Sequence, residues 1–306
     1  MRNVVSHAAP HVIFEKTDAA LRALCAARPF SPVHATQFRR LITAFYTRAG
    51  RDLPWRRTAL PYHVLVSEIM LQQTQVERVA RIFPRFIKAF PDFASLARAP
   101  LRNVLRIWHG MGYNRRALAL KKISEIVMSE YDGQLPHSPE LLRRLPGIGP
   151  ATAASIAAFA FNSPTVLLET NIRTVFIHYF FPRRKAVRDN ELSSLVALTL
   201  DKRNPRRWYN ALMDLGTMLK ARYGNPSRRS AHHRPQTQFQ GSDRQLRGAI
   251  LRALTDAPRT LPALCTLCAT GRERLAPILD ALQRDGLIQH SRKCYRISRI
   301  RCQARN

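Results

Sequence analysis

Cysteine, glycine, acidic residues and long apolar runs are all scarce in this 306-residue chain. The five cysteines (Cys25, Cys265, Cys268, Cys294 and Cys302) form no paired framework, which argues against a disulfide-stapled secreted domain and for a reducing, cytoplasmic setting. A nucleoid association is expected if the source is bacterial. Glycine occurs 12 times, and no Gly-rich phosphate loop of nucleotide-binding type is visible. The longest nearly apolar stretch, Ala151 to Phe161, is far short of the ~20 residues that cross a bilayer, so no membrane partner is expected. The charged N-terminus has no continuous apolar segment of signal-peptide type. Against 20 acidic residues stand 50 basic ones, a net charge of +30, and only eight of the 50 are lysines. With 45% hydrophobic residues the chain can bury a core, so it is not a disordered basic tail. A foldable chain with this excess of forked arginines points to a polyanion, with nucleic acid the favoured partner.

Length predicts one large domain or two modest ones. From about His34 to Arg222 apolar residues recur at helical spacing, and Pro61, Pro139 and Pro150 stand where helices begin. An all-α domain over 36–223 follows, preceded by an N-terminal extension, 1–35. Residues 224–241 (GNPSRRSAHHRPQTQFQG) are basic and polar and read as a linker or a phosphate-touching loop. Over 242–306 three helical segments precede two short alternating runs around a basic turn. That is a winged-helix-like plan, which fits DNA contact or a packing and partner-binding role equally. The predicted fold is therefore mainly α with a small C-terminal α/β module.

Three segments carry chemistry. In LRRLPGIGPATAASIAAFAF a short helix capped by Ser138 leads through Leu145–Gly149 to a second helix opened by Pro150. Gly147 and Gly149 permit a tight turn, and amides at the new helix start can meet a DNA phosphate; an ordinary helical hairpin is the alternative. In LPWRRTALPYHVLVSEIMLQQTQV, Val64, Glu68 and Leu71 fall on one helix face. Glu68 on an apolar stripe is either salt-bridged to an arginine or a general acid whose proton affinity its surroundings raise. In SPTVLLETNIRTVFIHYFF, Glu169 precedes Thr170-Asn171 where a helix begins. A carboxylate there should favour its ionised form, although a simple helix-start charge is common. Two carboxyls with opposed proton affinities are what cleavage of a glycosidic bond needs.

In this order, SEIMLQQTQV, Tyr113 in GMGYNRRA, LPGIGPATA and Glu169-Thr170-Asn171 ahead of IRTVF resemble MutY-type adenine DNA glycosylases of the helix-hairpin-helix, endonuclease III-like superfamily. The likeness covers about Phe38 to Tyr223. It implies that Glu68 protonates the adenine ring, that Glu169 with Asn171 stabilises the developing sugar cation, and that the base is flipped out of the stack. It further implies that Gln73 and Tyr113 wedge into the stack, with Leu71 among the base-facing positions. Thr74 would face the opposite guanine, Arg51 and Arg56 the active site, and Gly147 and Gly149 the DNA backbone. The expected partner is double-stranded DNA with a mismatched or damaged base, bound by a monomer.

Four departures qualify the likeness. Glu169 replaces an aspartate. Ala151 stands where endonuclease III carries its Schiff-base lysine. The stretch after MDLGTML lacks the cysteines of an iron–sulfur loop, so no cofactor is expected, and Arg228, Arg229 and Arg234 are expected on phosphates instead. The oxidised-guanine-sensing domain of many relatives is replaced by the winged-helix-like module. A glycosylase for thymine or uracil opposite guanine, and an inactive DNA-structure binder, remain open alternatives. Cys265 and Cys268 form a lone CxxC at what read as buried helix positions, and His232-His233 reads as phosphate-facing, so no metal site is expected.

Overall fold

A computed structural model of the chain describes residues 9–27, 29–231 and 238–299. His232, His233, Arg234 and Cys302 lie outside the described residues. In chain order the helices are α1 (Pro10–Ala26), α2 (Pro32–Ala49), α3 (Pro61–Leu71), α4 (Val76–Ala89), α5 (Phe93–Arg98), α6 (Leu101–Ile107), α7 (Arg115–Glu130), α8 (Pro139–Leu142), α9 (Pro150–Phe161), α10 (Thr170–Phe180), α11 (Asp189–Thr199), α12 (Pro205–Tyr223), α13 (Asp243–Asp256), α14 (Leu261–Cys268) and α15 (Arg272–Arg284). Three short strands, β1 (Arg259–Thr260), β2 (Ile288–Ser291) and β3 (Cys294–Ile297), complete the C-terminal part. Six helices begin on proline, at residues 10, 32, 61, 139, 150 and 205. The ring presets the helical φ, and the missing N–H would have had no intrahelical partner there. Among the described residues no helix is long and apolar enough to cross a membrane.

Contacts divide the chain into two compact units, Met1–Leu53 with Pro150–Pro235 and Pro54–Gly149 with Gln236–Asn306. In the first unit Phe38 of α2 is fully buried, its ring 5.9 Å from Phe176 and 6.2 Å from Trp208. The expected N-terminal extension supplies α1, which packs on α2 and α10. Buried Asp18 fastens it: its carboxylate accepts from Arg22 Nε (2.9 Å), Tyr179 Oη (2.9 Å) and Tyr223 Oη (2.7 Å). Those donors and His178 outweigh the cost of burial and hold Asp18 well below the usual carboxylate range.

In the second unit Trp108 is fully buried and sits edge-on to Phe86, while Trp55 meets Phe83. Residues 242–299 form the winged-helix-like arrangement, with antiparallel strand order β1-β3-β2. Arg292 and Lys293 turn the hairpin with φ of 51° and 65°, as a two-residue turn matched to strand twist requires. Leu254, Leu264, Leu275, Leu279 and Leu282 give this module its own core. Its α13 packs on α6, where Arg102 donates to the Thr255 and Asp256 carbonyls, and Asp285 pairs with Arg115 and Arg247.

Candidate active site

Glu68 lies half-buried on α3, whose Val64, Leu65, Val66, Ile69 and Met70 are buried. The helix is buried on nearly every side rather than along one stripe, and Glu68 and Leu71 share its less covered positions with Pro61 and His63. After Leu71, itself half-buried, the chain turns sharply through Gln73, exposed at φ 53°. A second turn of this kind lies at Tyr113, with φ 46° and about a third of its surface open, preceded by Gly110 and Gly112 at positive φ. Left-handed backbone at a non-glycine residue is strained, and it persists where the surroundings overdetermine it.

Buried Arg116 on α7 supplies that constraint for both turns. Its Nη1 donates to the carbonyls of Ile69 (2.9 Å), Met70 (2.8 Å) and Gln72. Its Nη2 donates to Thr74 Oγ1 (2.9 Å) and to the carbonyls of Met111 (3.2 Å) and Gly112 (3.3 Å). These carbonyls include the orphans at the end of α3, which a cation suits. Burial lowers the Arg116 guanidinium to about 10, so it stays charged at neutral pH. The Thr74 hydroxyl, expected toward the opposite base, is thus engaged inside the protein. Arg244 of α13 donates to Tyr113 Oη (2.7 Å), linking the C-terminal module to that turn.

Gln72 Nε2 reaches the Gly147 carbonyl (3.3 Å), joining the α3 turn to the hairpin. Gly147 needs its glycine: φ is 78°, and a Cβ would stand 3.2 Å from the Ala119 Cβ. Gly149 is exposed, and a Cβ there would meet nothing within 4 Å.

In the first unit Glu169 is the N-cap of α10. Its Oε1 accepts the amides of Asn171 (2.7 Å) and Ile172 (2.9 Å), and its Oε2 the Asn171 Nδ2 (3.3 Å). The extra methylene relative to aspartate is absorbed by folding the side chain onto its own helix start. Asn171 Oδ1 in turn accepts from Lys220 Nζ of α12 (2.7 Å). Arg173 is clamped on Asp189 by two bonds, at 2.9 and 2.6 Å. Desolvation is the largest influence on Glu169 and raises its carboxyl, against the two amides and the charges of Lys220 and Arg173. The expected preference for the ionised form is therefore corrected: burial outweighs the helix amides. Gly216 of α12 lets this packing happen, because a Cβ there would lie 2.4 Å from the Asn171 carbonyl oxygen.

Arg51 donates through N and Nε to buried Asp214 (2.8 and 2.7 Å). Arg56 is half-buried in the 3₁₀ turn Pro54–Arg57 of the other unit. Arg229, expected on phosphate, instead donates to the carbonyls of Phe181 and Pro182 (both 2.8 Å), while Arg228 is exposed. Cys265 and Cys268 are half-buried rather than buried, and among the described residues no group of three His, Cys, Asp or Glu could hold a metal ion. The residues following α12 do not fit an iron–sulfur cluster. Pro226–Arg229 forms a 3₁₀ turn pinned by Val187 and Ser230, and 219–238 contains no thiolate. The reading of the sequence missed Arg116, Lys220 and Gly216; of the three, Gly216 alone had a local signal, in MDLGTML.

Residues 66–197 match the HhH-GPD superfamily of base excision DNA repair proteins. An adenine DNA glycosylase of Mycolicibacterium smegmatis is 34% identical over 273 residues, covering 82% of this chain and 92% of the relative. One of Mycobacterium tuberculosis is 32% identical over 272 residues, covering 81% and 88%. The human adenine DNA glycosylase is 34% identical over 201 residues, 60% of this chain and 36% of the relative. Among solved structures, a thermostable thymine-DNA glycosylase superposes with a TM-score of 0.54 at 25% identity, covering 60% of this chain and 86% of that one. A non-covalent endonuclease III–DNA complex superposes at 0.51 and 16% identity, over 80% and 99%, and shows the fold alone. The class is thus a base excision DNA repair protein with the helix-hairpin-helix fold. Within it, the chain belongs to the MutY-type glycosylases.

Proposed function

We propose that the protein binds duplex DNA as a monomer and hydrolyses the N-glycosidic bond of adenine mispaired with guanine or 8-oxoguanine. The capped Glu169 carries this reading: a carboxyl fixed by two amides and an asparagine can face a sugar cation with little reorganisation. Adenine as the base rests on the relatives named adenine DNA glycosylase. Glu68 gives its proton to the adenine ring, the C1′–N bond breaks, and neutral adenine leaves. Glu169 as carboxylate stabilises the oxocarbenium-like sugar until water adds at C1′ and releases a proton, which leaves an abasic site.

Gln73 and Tyr113, on strained turns overdetermined by Arg116, are proposed as wedges that hold the stack open, with Leu71 beside them. Gly147 and Gly149 are proposed to let a phosphate approach the hairpin amides; among the described residues no contact accounts for glycine at 149. Arg51 and Arg56 are proposed to border the flipped nucleotide, and Thr74 to present its backbone to the opposite base. No iron–sulfur cluster takes part.

A second reading, removal of thymine opposite guanine, is favoured by the likeness to the thermostable thymine-DNA glycosylase. Duplexes with A opposite G, A opposite 8-oxoguanine, T opposite G and U opposite G separate the two. Release of adenine alone is expected. Release of thymine or uracil with adenine untouched would transfer the assignment, and release of nothing would end it.

A further inference from the structure

Lys220 is the cation whose ammonium reaches into the α10 cap. It comes from α12, its Nζ donates to Asn171 Oδ1 at 2.7 Å, and Asn171 in turn holds Glu169 through both its amide and its side chain. Lys220 is half-buried, and burial lowers its ammonium while the nearby Glu169 raises it. A half-buried ammonium is favoured by a nearby negative charge, and the Glu169 carboxylate, one residue removed through Asn171, supplies it. Among the described residues, Lys220 from α12 and Arg173 from α10 are the charged groups that act most on Glu169. Arg173 is already committed to Asp189 of α11, at 2.6 and 2.9 Å. Lys220 has no carboxylate bonded to it among the described ion pairs.

We propose that Lys220 is a positioning residue: its ammonium fixes the Asn171 side-chain amide that binds Glu169 and places a positive charge beside the Glu169 carboxylate. The proposal deepens the functional reading and rests on Glu169 as the sugar-facing acid. It also accounts for tolerance of glutamate here. The longer side chain is locked by three donors on Asn171 and Ile172, and Lys220 sets the Asn171 side chain that makes one of them.

Two measurements on the full chain test it, one of which needs no activity. In protein labelled with carbon-13 at the glutamate carboxyls, the Glu169 titration is assigned by its loss in Glu169→Gln. Its midpoint should rise by about one pH unit or more in Lys220→Met, which keeps the apolar stem, and stay near the parent in Lys220→Arg. The single-turnover rate of base release from the duplex the parent cleaves best, followed between pH 4.5 and 9, should show its acid limb move up by the same amount in Lys220→Met. Lys220→Arg should restore the limb. An unmoved Glu169 midpoint in folded Lys220→Met overturns the proposal, whatever the rate does. A shifted midpoint in a protein that releases no base from any duplex upholds the Lys220–Glu169 coupling and overturns the glycosylase reading instead. Should Lys220→Met not fold, Lys220→Gln is titrated in its place and must show the same upward shift.

Discussion

Replacing Gly216 by alanine perturbs the candidate site without touching a titratable group. A Cβ at this position would stand 2.4 Å from the Asn171 carbonyl oxygen and 2.8 Å from its Cβ. Ordinary carbon–oxygen contacts begin near 3.3 Å, so the first turn of α10 must retreat from α12 by about 0.9 Å. Neither atom is the end of a flexible side chain, so the shift falls on backbone. Overpacking of this kind costs about 3 kcal/mol, and alanine's better helix propensity returns about 1. The expected net loss is about 2 kcal/mol, or roughly 4–8 °C in melting temperature for a unit of this size. Because Asn171 carries the amide and side chain that bind Glu169, a movement of this size should also lower the single-turnover rate by about 10- to 100-fold. DNA affinity should change little. Thermal melting and base release measured side by side check both effects. A Gly216→Ala protein that melts higher than the parent and keeps its rate would show that α10 and α12 do not meet as described.

Asp18→Asn should destabilise the protein by about 2 kcal/mol at pH 7, because the anion that α1 shares with Arg22, Tyr179 and Tyr223 is lost. Since the folded-state carboxyl sits below its ordinary value, that contribution is present above about pH 4 and lost as pH falls toward the folded value; the difference in melting temperature should therefore shrink with acidification. Ending the chain at residue 241 removes a module with its own core but also uncovers the α6 face on which α13 packs, so the remainder should fold with a lower melting temperature, and Tyr113 without Arg244 should grip DNA less well; a truncated chain as stable as the parent would show that α13 does not support α6. Purified protein should be colourless and free of stoichiometric iron, and the product strand should stay intact until alkali or heat cleaves it, since Ala151 offers no amine. Borohydride trapping in high yield that disappears in Lys220→Gln would assign an imine to that lysine.

Punctuation was the most legible part of the fold. Pro61, Pro139 and Pro150 open α3, α8 and α9, and the Arg292-Lys293 turn closes the hairpin where the alternating runs meet. These signals act within four or five residues, as local dihedral preferences do. The strand β1, two residues long and paired with β3 some 35 positions away, carries no periodicity to read. The site divides the same way. Glu169 was visible because capping is local, and Glu68 because two apolar residues, Val64 and Leu71, share its face. Arg116 was not, because in a chain with so many arginines nothing local says which one turns inward to meet six acceptors. Lys220 was hidden by its separation of 49 positions from Asn171. The rise in the Glu169 carboxyl could not be read either, since a helix start predicts a fall and only packing reveals the desolvation that exceeds it.

The most direct test of the central claim is the single-turnover release of adenine from a duplex with adenine opposite 8-oxoguanine, compared between the parent and Glu68→Gln. General acid assistance is worth about 10²–10⁴ in rate, so Glu68→Gln should lose that much while its dissociation constant for the duplex stays within a few-fold of the parent. Free adenine released by Glu68→Gln at the parent rate would contradict the account, because bond breaking would then proceed without the acid assigned to it.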